Sequence, residues 1–374
     1  MARMVKTAFS AGQFARSFNP KPGLLYPRLA DGGVGMERSF GGNLMSSIRQ
    51  ARGRGIPMML IALALMLGLH SVPAQAEALS YGWQKVDGIN LFYREGGPRD
   101  APTIVFLHGT PTSSLMYQPL MERLADSHTL HLLAVDYPSF GFSDAPDRAV
   151  YRYTFDHLAE TVGRFLKARG IDHYALYMQD YGVPVGFRLI GAAPESITAI
   201  MVQNGVIHLD GFPKAQDPDG ELRRHWRSRN ADLDRRRAAY LQSLAFPQAG
   251  NQDDDPRIPP EVLLANNASE QRPGVIDARN DLWFDYGSNV AQYPTWQALL
   301  RGLKVPVLVL WGSGDDFFTV PGALAYLRDA PQAEVHILQA GHFASLEVPD
   351  QAARQVSDFV IRHHGLAAET PAGR

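Results

Sequence analysis

The chain contains no cysteine. That excludes disulfides, zinc–thiolate centres, cysteine nucleophiles and cysteine-linked lipid anchors. Net charge is also scarce, at −2 over 374 residues, and gives no electrostatic reason to expect nucleic acid as a partner. The apolar run Met58–Leu69 falls short of the roughly 20 residues that a membrane-spanning helix needs, and Ser71, Pro73 and Gln75 close it off.

The small net charge conceals an asymmetry. Residues 1–55 hold nine Lys or Arg and two Asp or Glu, 56–76 hold none, and residues 77–374 therefore carry −9. Arg49, Arg52 and Arg54 precede the apolar run, and Ala74-Gln75-Ala76 follows it. A basic start, a short apolar core and an Ala-x-Ala site form the pattern of a secretory signal peptide. The expectation is a signal over 45–76 and an exported enzyme, periplasmic or secreted, with no stable membrane insertion after cleavage. Residues 1–44 are then an extension outside the fold, with Met45 as the start and Met36 as the alternative.

The remainder reads as one α/β domain with an insertion. Asp87-Gly88 sits between two strand-like runs, a hairpin signal. Short, continuously apolar runs follow at Thr103–Leu107, Leu130–Val135, Tyr174–Met178, Ala199–Val202, Val305–Trp311 and Glu334–Leu338. Continuous rather than alternating apolarity marks parallel strands buried on both faces. Helical patterns at Leu115–Leu124, Phe155–Ala168, Val185–Ala193 and Ala323–Asp329 alternate with them. The expected fold is a mostly parallel, doubly wound α/β sheet. After a strand ending near Gly205 the alternation stops, and Leu233, Tyr240, Leu241 and Leu244 share a helical face. This predicts a core over 77–206, a helical cap over 207–297 and a second core part over 298–374. Seven arginines in the cap, Arg223, Arg224, Arg227, Arg229, Arg235, Arg236 and Arg237, are interleaved with Asp232 and Asp234 and read as a solvated helix face.

Four motifs lie at the carboxyl ends of predicted strands, where open α/β sheets place their sites. They are His108-Gly109-Thr110-Pro111, Gln179-Asp180-Tyr181-Gly182, Trp311-Gly312-Ser313-Gly314-Asp315-Asp316 and Gly341-His342-Phe343. The second has the form of a sharp strand–turn–helix elbow with Asp180 at its apex, although Met178 and Val183 are larger than such a turn usually carries. An acid at 315 or 316 and a later histidine complete the order nucleophile, acid, base.

From about Tyr81 to His364 these stretches, together with Asp136-Tyr137-Pro138-Ser139-Phe140-Gly141-Phe142-Ser143-Asp144, resemble the α/β-hydrolase superfamily. The likeness is strongest to its branch of haloalkane dehalogenases and epoxide hydrolases, whose nucleophile is an aspartate. The resemblance implies a catalytic set of Asp180, His342 and Asp315, and an oxyanion hole made by the backbone N–H groups of Thr110 and Tyr181. It implies no metal and no cofactor; the partners are a small apolar organic substrate and water. Trp226 or Trp283 would bind a halide; Tyr286, with Tyr240 as a weaker second, would bind an epoxide oxygen. The first loop, His108 to Ser114, leans the expectation toward cleavage of carbon–halogen bonds, with epoxide hydrolysis as the alternative and a catalytically inactive binding protein on the same fold as a remote one.

Overall fold

A computed structural model describes residues 79–363, apart from 128, 215, 216, 218 and 244–256. These lie in the second of two units, 77–374. The expected extension over 1–44 and the signal over 45–76 lie outside the described residues.

Eight strands form one sheet in the order β1-β2-β4-β3-β5-β6-β7-β8. They are β1 (Ser80–Val86), β2 (Ile89–Gly96), β3 (Thr103–Leu107), β4 (His131–Val135), β5 (Tyr174–Gln179), β6 (Ile197–Gln203), β7 (Val307–Gly312) and β8 (Glu334–Leu338). β1 and β2 are joined by the two-residue turn Asp87-Gly88, both with positive φ (50° and 87°), and β2 pairs antiparallel with β4. Every later pairing is parallel.

Strand side chains alternate between two faces, so each continuous apolar run feeds two cores. Val105, Leu107, Leu176, Met178, Val202 and Trp311 fall in one buried cluster, while Phe106, Tyr177, Met201 and Leu310 fall in another. Core helices α1 (Gln118–Ala125), α2 (Phe155–Ala168) and α3 (Gly182–Ala192) follow β3, β4 and β5. Thr154 starts α2 by accepting from His157 N at 3.2 Å, and Phe155, Leu158, Val162 and Phe165 form its buried stripe.

Between β6 and β7 the described residues form four α-helices, α4 (Glu221–His225), α5 (Ala231–Ser243), α6 (Pro260–Glu270) and α7 (Val275–Gly302). The cap is tied to the core loop after β4. The fully buried Arg279 of α7 donates to Glu270 at 2.7 Å and to Ser139 Oγ at 2.7 Å. Arg223, Arg229, Arg235 and Arg236 pair with acidic neighbours, as a solvated face would. The Arg237 guanidinium lies over the Trp283 ring, 5.1 Å from its centroid. After β7 come α8 (Val320–Ala325), α9 (Ala344–Glu347) and α10 (Pro349–Arg362).

Candidate active site

Register brings the four motifs together. Leu107 lies opposite Met178, Gln179 opposite Gln203, Gln203 opposite Leu310, and Gly312 opposite Leu338. The loops leaving β3, β5, β6, β7 and β8 therefore start at one level. The order β4-β3-β5 reverses chain direction across the sheet beside β3 and β5, which makes their carboxyl ends a switch point.

Asp180 sits at the apex with φ +48°, a conformation that few non-glycine residues adopt. Strain of this kind, of order 1–3 kcal/mol, persists where surrounding packing enforces it. Small residues provide that packing. A Cβ on Gly182 would strike the Leu107 carbonyl, and one on Gly109 would strike Asp180 and Gln179. The two bulky elbow residues are accommodated in the same way. Gly186 leaves room for Met178 Sδ, and Gly205 leaves room for Val183 Cγ2. The helix behind Asp180 thus keeps its place, beginning at Gly182.

Asp180 Oδ1 accepts from the Thr110 backbone N–H at 2.8 Å, and the Tyr181 N–H also bonds the carboxylate. Both donors expected for the oxyanion hole already hold a negative oxygen. Burial pushes the Asp180 carboxyl above the usual carboxylate range, outweighing the nearby His342 and these two N–H groups.

His342 Nδ1 lies 2.8 Å from Asp315 Oδ2, and its Nε2 lies 4.0 Å from Asp180 Oδ2. Asp315 is 4 % exposed, whereas Asp316 is exposed at the surface. The histidine's oriented partner is therefore Asp315. Its Oδ1 accepts from the N–H groups of Phe317 and Phe318 at 2.7 and 3.1 Å. Burial opposes a charge on His342, but the charge and hydrogen bond of Asp315, with the charge of Asp180, prevail and hold the imidazole above its ordinary pKa. Glu347 fixes the loop by accepting from the N–H groups of Gly341 and Phe343 at 2.6 and 3.1 Å.

His108 has a structural role. Its Nδ1 is 2.8 Å from the Gly109 carbonyl, its Nε2 accepts from Tyr137 N at 3.3 Å, and burial pushes its pKa down to about 3. It stays neutral and stiffens the loop that carries Thr110.

The cap residues divide. Tyr286 is buried, with its ring 5.9 Å from that of Tyr181. Trp226 stacks on Tyr286 at 5.3 Å, and its Nε1 is buried without a partner. Trp283 instead packs on His225 at 4.6 Å within the cap. The Tyr240 side chain lies outside the described residues.

Three residues escape the sequence reading. Tyr293, one face-repeat along α7 from Tyr286, has its hydroxyl 3.3 Å from the Tyr286 hydroxyl. Burial first, and the charge of Asp180 as well, push both phenols above their ordinary pKa, so both remain protonated donors at neutral pH. Asn204 donates to Asp315, and Gln179 meets His342. Only the seven-residue spacing of Tyr286 and Tyr293 could have been read from the sequence. Among the described residues no group of acidic or histidine side chains could hold a metal ion.

The model of the alpha/beta hydrolase fold family matches residues 102–349. The chain belongs to this family and is a hydrolase of a small-molecule substrate and water. It is 39% identical to an uncharacterized hydrolase of Saccharomyces cerevisiae over 266 residues, 70% of this chain and 90% of that one. A haloalkane dehalogenase of Bradyrhizobium diazoefficiens matches over 113 residues at 36% identity, 30% of this chain and 35% of the other. Among solved structures, a haloalkane dehalogenase of Bradyrhizobium elkani superposes with a TM-score of 0.61 at 20% identity, covering 77% of this chain and 100% of that one. The epoxide hydrolase CorEH superposes with a TM-score of 0.58 at 18% identity, covering 76% and 99%. At these identities the two structures attest the fold alone.

Proposed function

We propose that the protein hydrolyses epoxides to vicinal diols through a covalent alkyl ester on Asp180. A carboxylate attacking an ordinary ester would only form an anhydride, whereas attack on an sp³ carbon forms an ester that water can cleave. The observation that carries the epoxide reading is the hydroxyl pair of Tyr286 and Tyr293, 3.3 Å apart, whose phenols both feel the charge of Asp180. An opening oxirane needs an O–H donor at its oxygen, and in this pair one hydroxyl donates to the other, whose own O–H is left for the substrate.

In this cycle the carboxylate of Asp180 attacks an oxirane carbon. The C–O bond breaks, and its oxygen takes a proton from the tyrosine pair. Esterification removes the negative charge of Asp180, one of the influences that raise the pKa of His342. More of the imidazole is then in the neutral form that must take a proton from water. Water gives a proton to His342 Nε2 as its oxygen attacks Cγ of Asp180, with the carbonyl oxygen held by Thr110 and Tyr181. An oxyanion donor of this type contributes about 2.7–4 kcal/mol. The tetrahedral adduct expels the diol oxygen, which recovers the proton from His342, and the proton left on the Asp180 carboxyl returns to the tyrosine pair, restoring the carboxylate and both phenols.

A second reading, cleavage of carbon–halogen bonds, is favoured by Trp226. Its Nε1 is buried without a partner among the described residues, and a halide leaving Asp180 could accept from it. The backbone positions flanking the nucleophile, Thr110 and Tyr181, carry no side-chain N–H for this purpose, so the halide reading rests on Trp226 alone. Diol release from styrene oxide and halide release from brominated alkanes, measured side by side, separate the two. Diol without halide supports the first reading, and halide without diol replaces it with the second.

The segment 45–76 leads us to infer export, with Glu77 as the mature N-terminus. Mass measurement of the protein recovered from the periplasm or medium tests this, and an uncleaved chain there would refute it.

A further inference from the structure

Gln179, the residue before the nucleophile, is fully buried. Its Nε2 lies 2.8 Å from His342 Nε2 and 3.3 Å from the His342 carbonyl. Its Oε1 is buried and has no partner among the described residues. With Nδ1 committed to Asp315, His342 Nε2 can meet an amide N–H only as a lone pair. Once Nε2 carries a proton, the same amide N–H opposes it, and the idle Oε1 becomes the group it needs. A half-turn about the last side-chain torsion exchanges the two ends of a carboxamide with almost no change of shape. A hydrogen bond to the charged imidazolium would also exceed one to the neutral ring.

We infer that Gln179 is a positioning residue for the base: its carboxamide donates to the unprotonated Nε2 of His342 and turns to present Oε1 when that nitrogen holds the proton taken from water. The same oxygen would otherwise remain a buried acceptor without a partner in both states. The inference rests on the ester mechanism for its place in catalysis, though not for the contact itself.

Two substitutions move the base in opposite directions. Gln179→Leu removes the acceptor, so burial lowers the pKa of His342; Gln179→Glu adds a negative charge beside Nε2 and raises it. Single-turnover reactions with styrene oxide, sampled by mass at Asp180, separate ester formation from ester hydrolysis. Both variants should form the ester within about threefold of the wild-type rate. The acid limb of ester hydrolysis should move to lower pH in the leucine variant and to higher pH in the glutamate variant. Identical limbs in all three proteins would overturn the proposal and leave Gln179 a packing residue.

NMR titration of the wild-type protein supplies a readout that needs neither turnover nor a variant. The Gln179 side-chain amide signals should move with the His342 titration. Signals that stay fixed through it would refute the turn of the amide. If no ester forms on Asp180 in any protein while the amide signals do follow His342, the ester mechanism falls and the contact stands.

Discussion

Asn204 donates from Nδ2 to Asp315 Oδ2 over 2.8 Å, and that oxygen is the one that His342 Nδ1 holds, also at 2.8 Å. Asn204 follows β6 and Asp315 follows β7. Asn204 Oδ1 accepts from Gly312 N at 3.0 Å, and its carbonyl accepts from Asp180 N at 3.3 Å. One residue with φ +43° thus joins the turn at Asp180 to the turn that carries Asp315. Hydrogen bonds to a charged group are worth about 1.5–3 kcal/mol. Asn204→Ala should therefore slow ester hydrolysis by roughly 10–100-fold while leaving ester formation on Asp180 much less affected. Stopped-flow kinetics of the two steps would check this, and equal slowing of both would place Asn204 in the turn's stability instead.

The titration of the site should show two acid limbs. In the proposed cycle Asp180 attacks only when ionised, and burial raises its pKa, so ester formation should fail as pH drops, at values above those of an ordinary aspartate. His342 accepts a proton only when neutral, so ester hydrolysis should also fail as pH drops. In the ester the charge of Asp180 is gone, and that limb should lie below the His342 titration of the free enzyme. Comparing the hydrolysis profile with NMR of the resting imidazole checks the difference. Coincident values would contradict the role assigned to the Asp180 charge.

The elbow predicts a packing exchange. Gly186→Ala should destabilise the protein by about 1–3 kcal/mol, the usual cost of overfilling a core, because the added methyl meets Met178 Sδ. Met178→Ala removes that sulfur. The double variant should be more stable than the sum of the two single losses, a positive coupling visible in a denaturation cycle. Strict additivity would mean that Met178 and Gly186 do not define the elbow together.

Glu95 predicts acid sensitivity away from the site. Burial alone would raise its pKa, but hydrogen bonds from His131, Arg169 and Arg99 prevail and bring it down to about 2. A carboxylate depressed in the folded state stabilises above its unfolded pKa and loses that contribution as pH falls through the folded value. Wild-type stability should therefore fall between about pH 4.5 and 2 by roughly 2–3 kcal/mol more than that of Glu95→Gln. Parallel stability curves for the two proteins would contradict this.

Much of the core was legible because its signals are local. Continuous apolarity marked Thr103–Leu107 at its observed bounds and fully buried; Glu334–Leu338 also keeps its bounds, but as the edge strand it is only partly buried, with Ile337 exposed, and the motifs at the strand ends fell on the observed loops. The cap was less legible because its buried face mixes polar with apolar residues. Along α7 the buried stripe includes Arg279, Asn280, Asn289 and two tyrosines, so a hydropathy pattern hides the face that presents Tyr286 and Tyr293. Gln179 and Asn204 were missed because their partners lie 163 and 111 residues away. Met178 and Val183 looked like misfits at the elbow because the glycines that admit them, Gly186 and Gly205, could be recognised only from the packed structure.

The most direct test of the central claim uses His342→Gln, which keeps the nucleophile and removes the base. After incubation with styrene oxide, intact mass and peptide mapping should show one substrate added to the protein, as an ester on Asp180. An adduct on a serine, or none at all while the wild-type protein still releases diol, would contradict it.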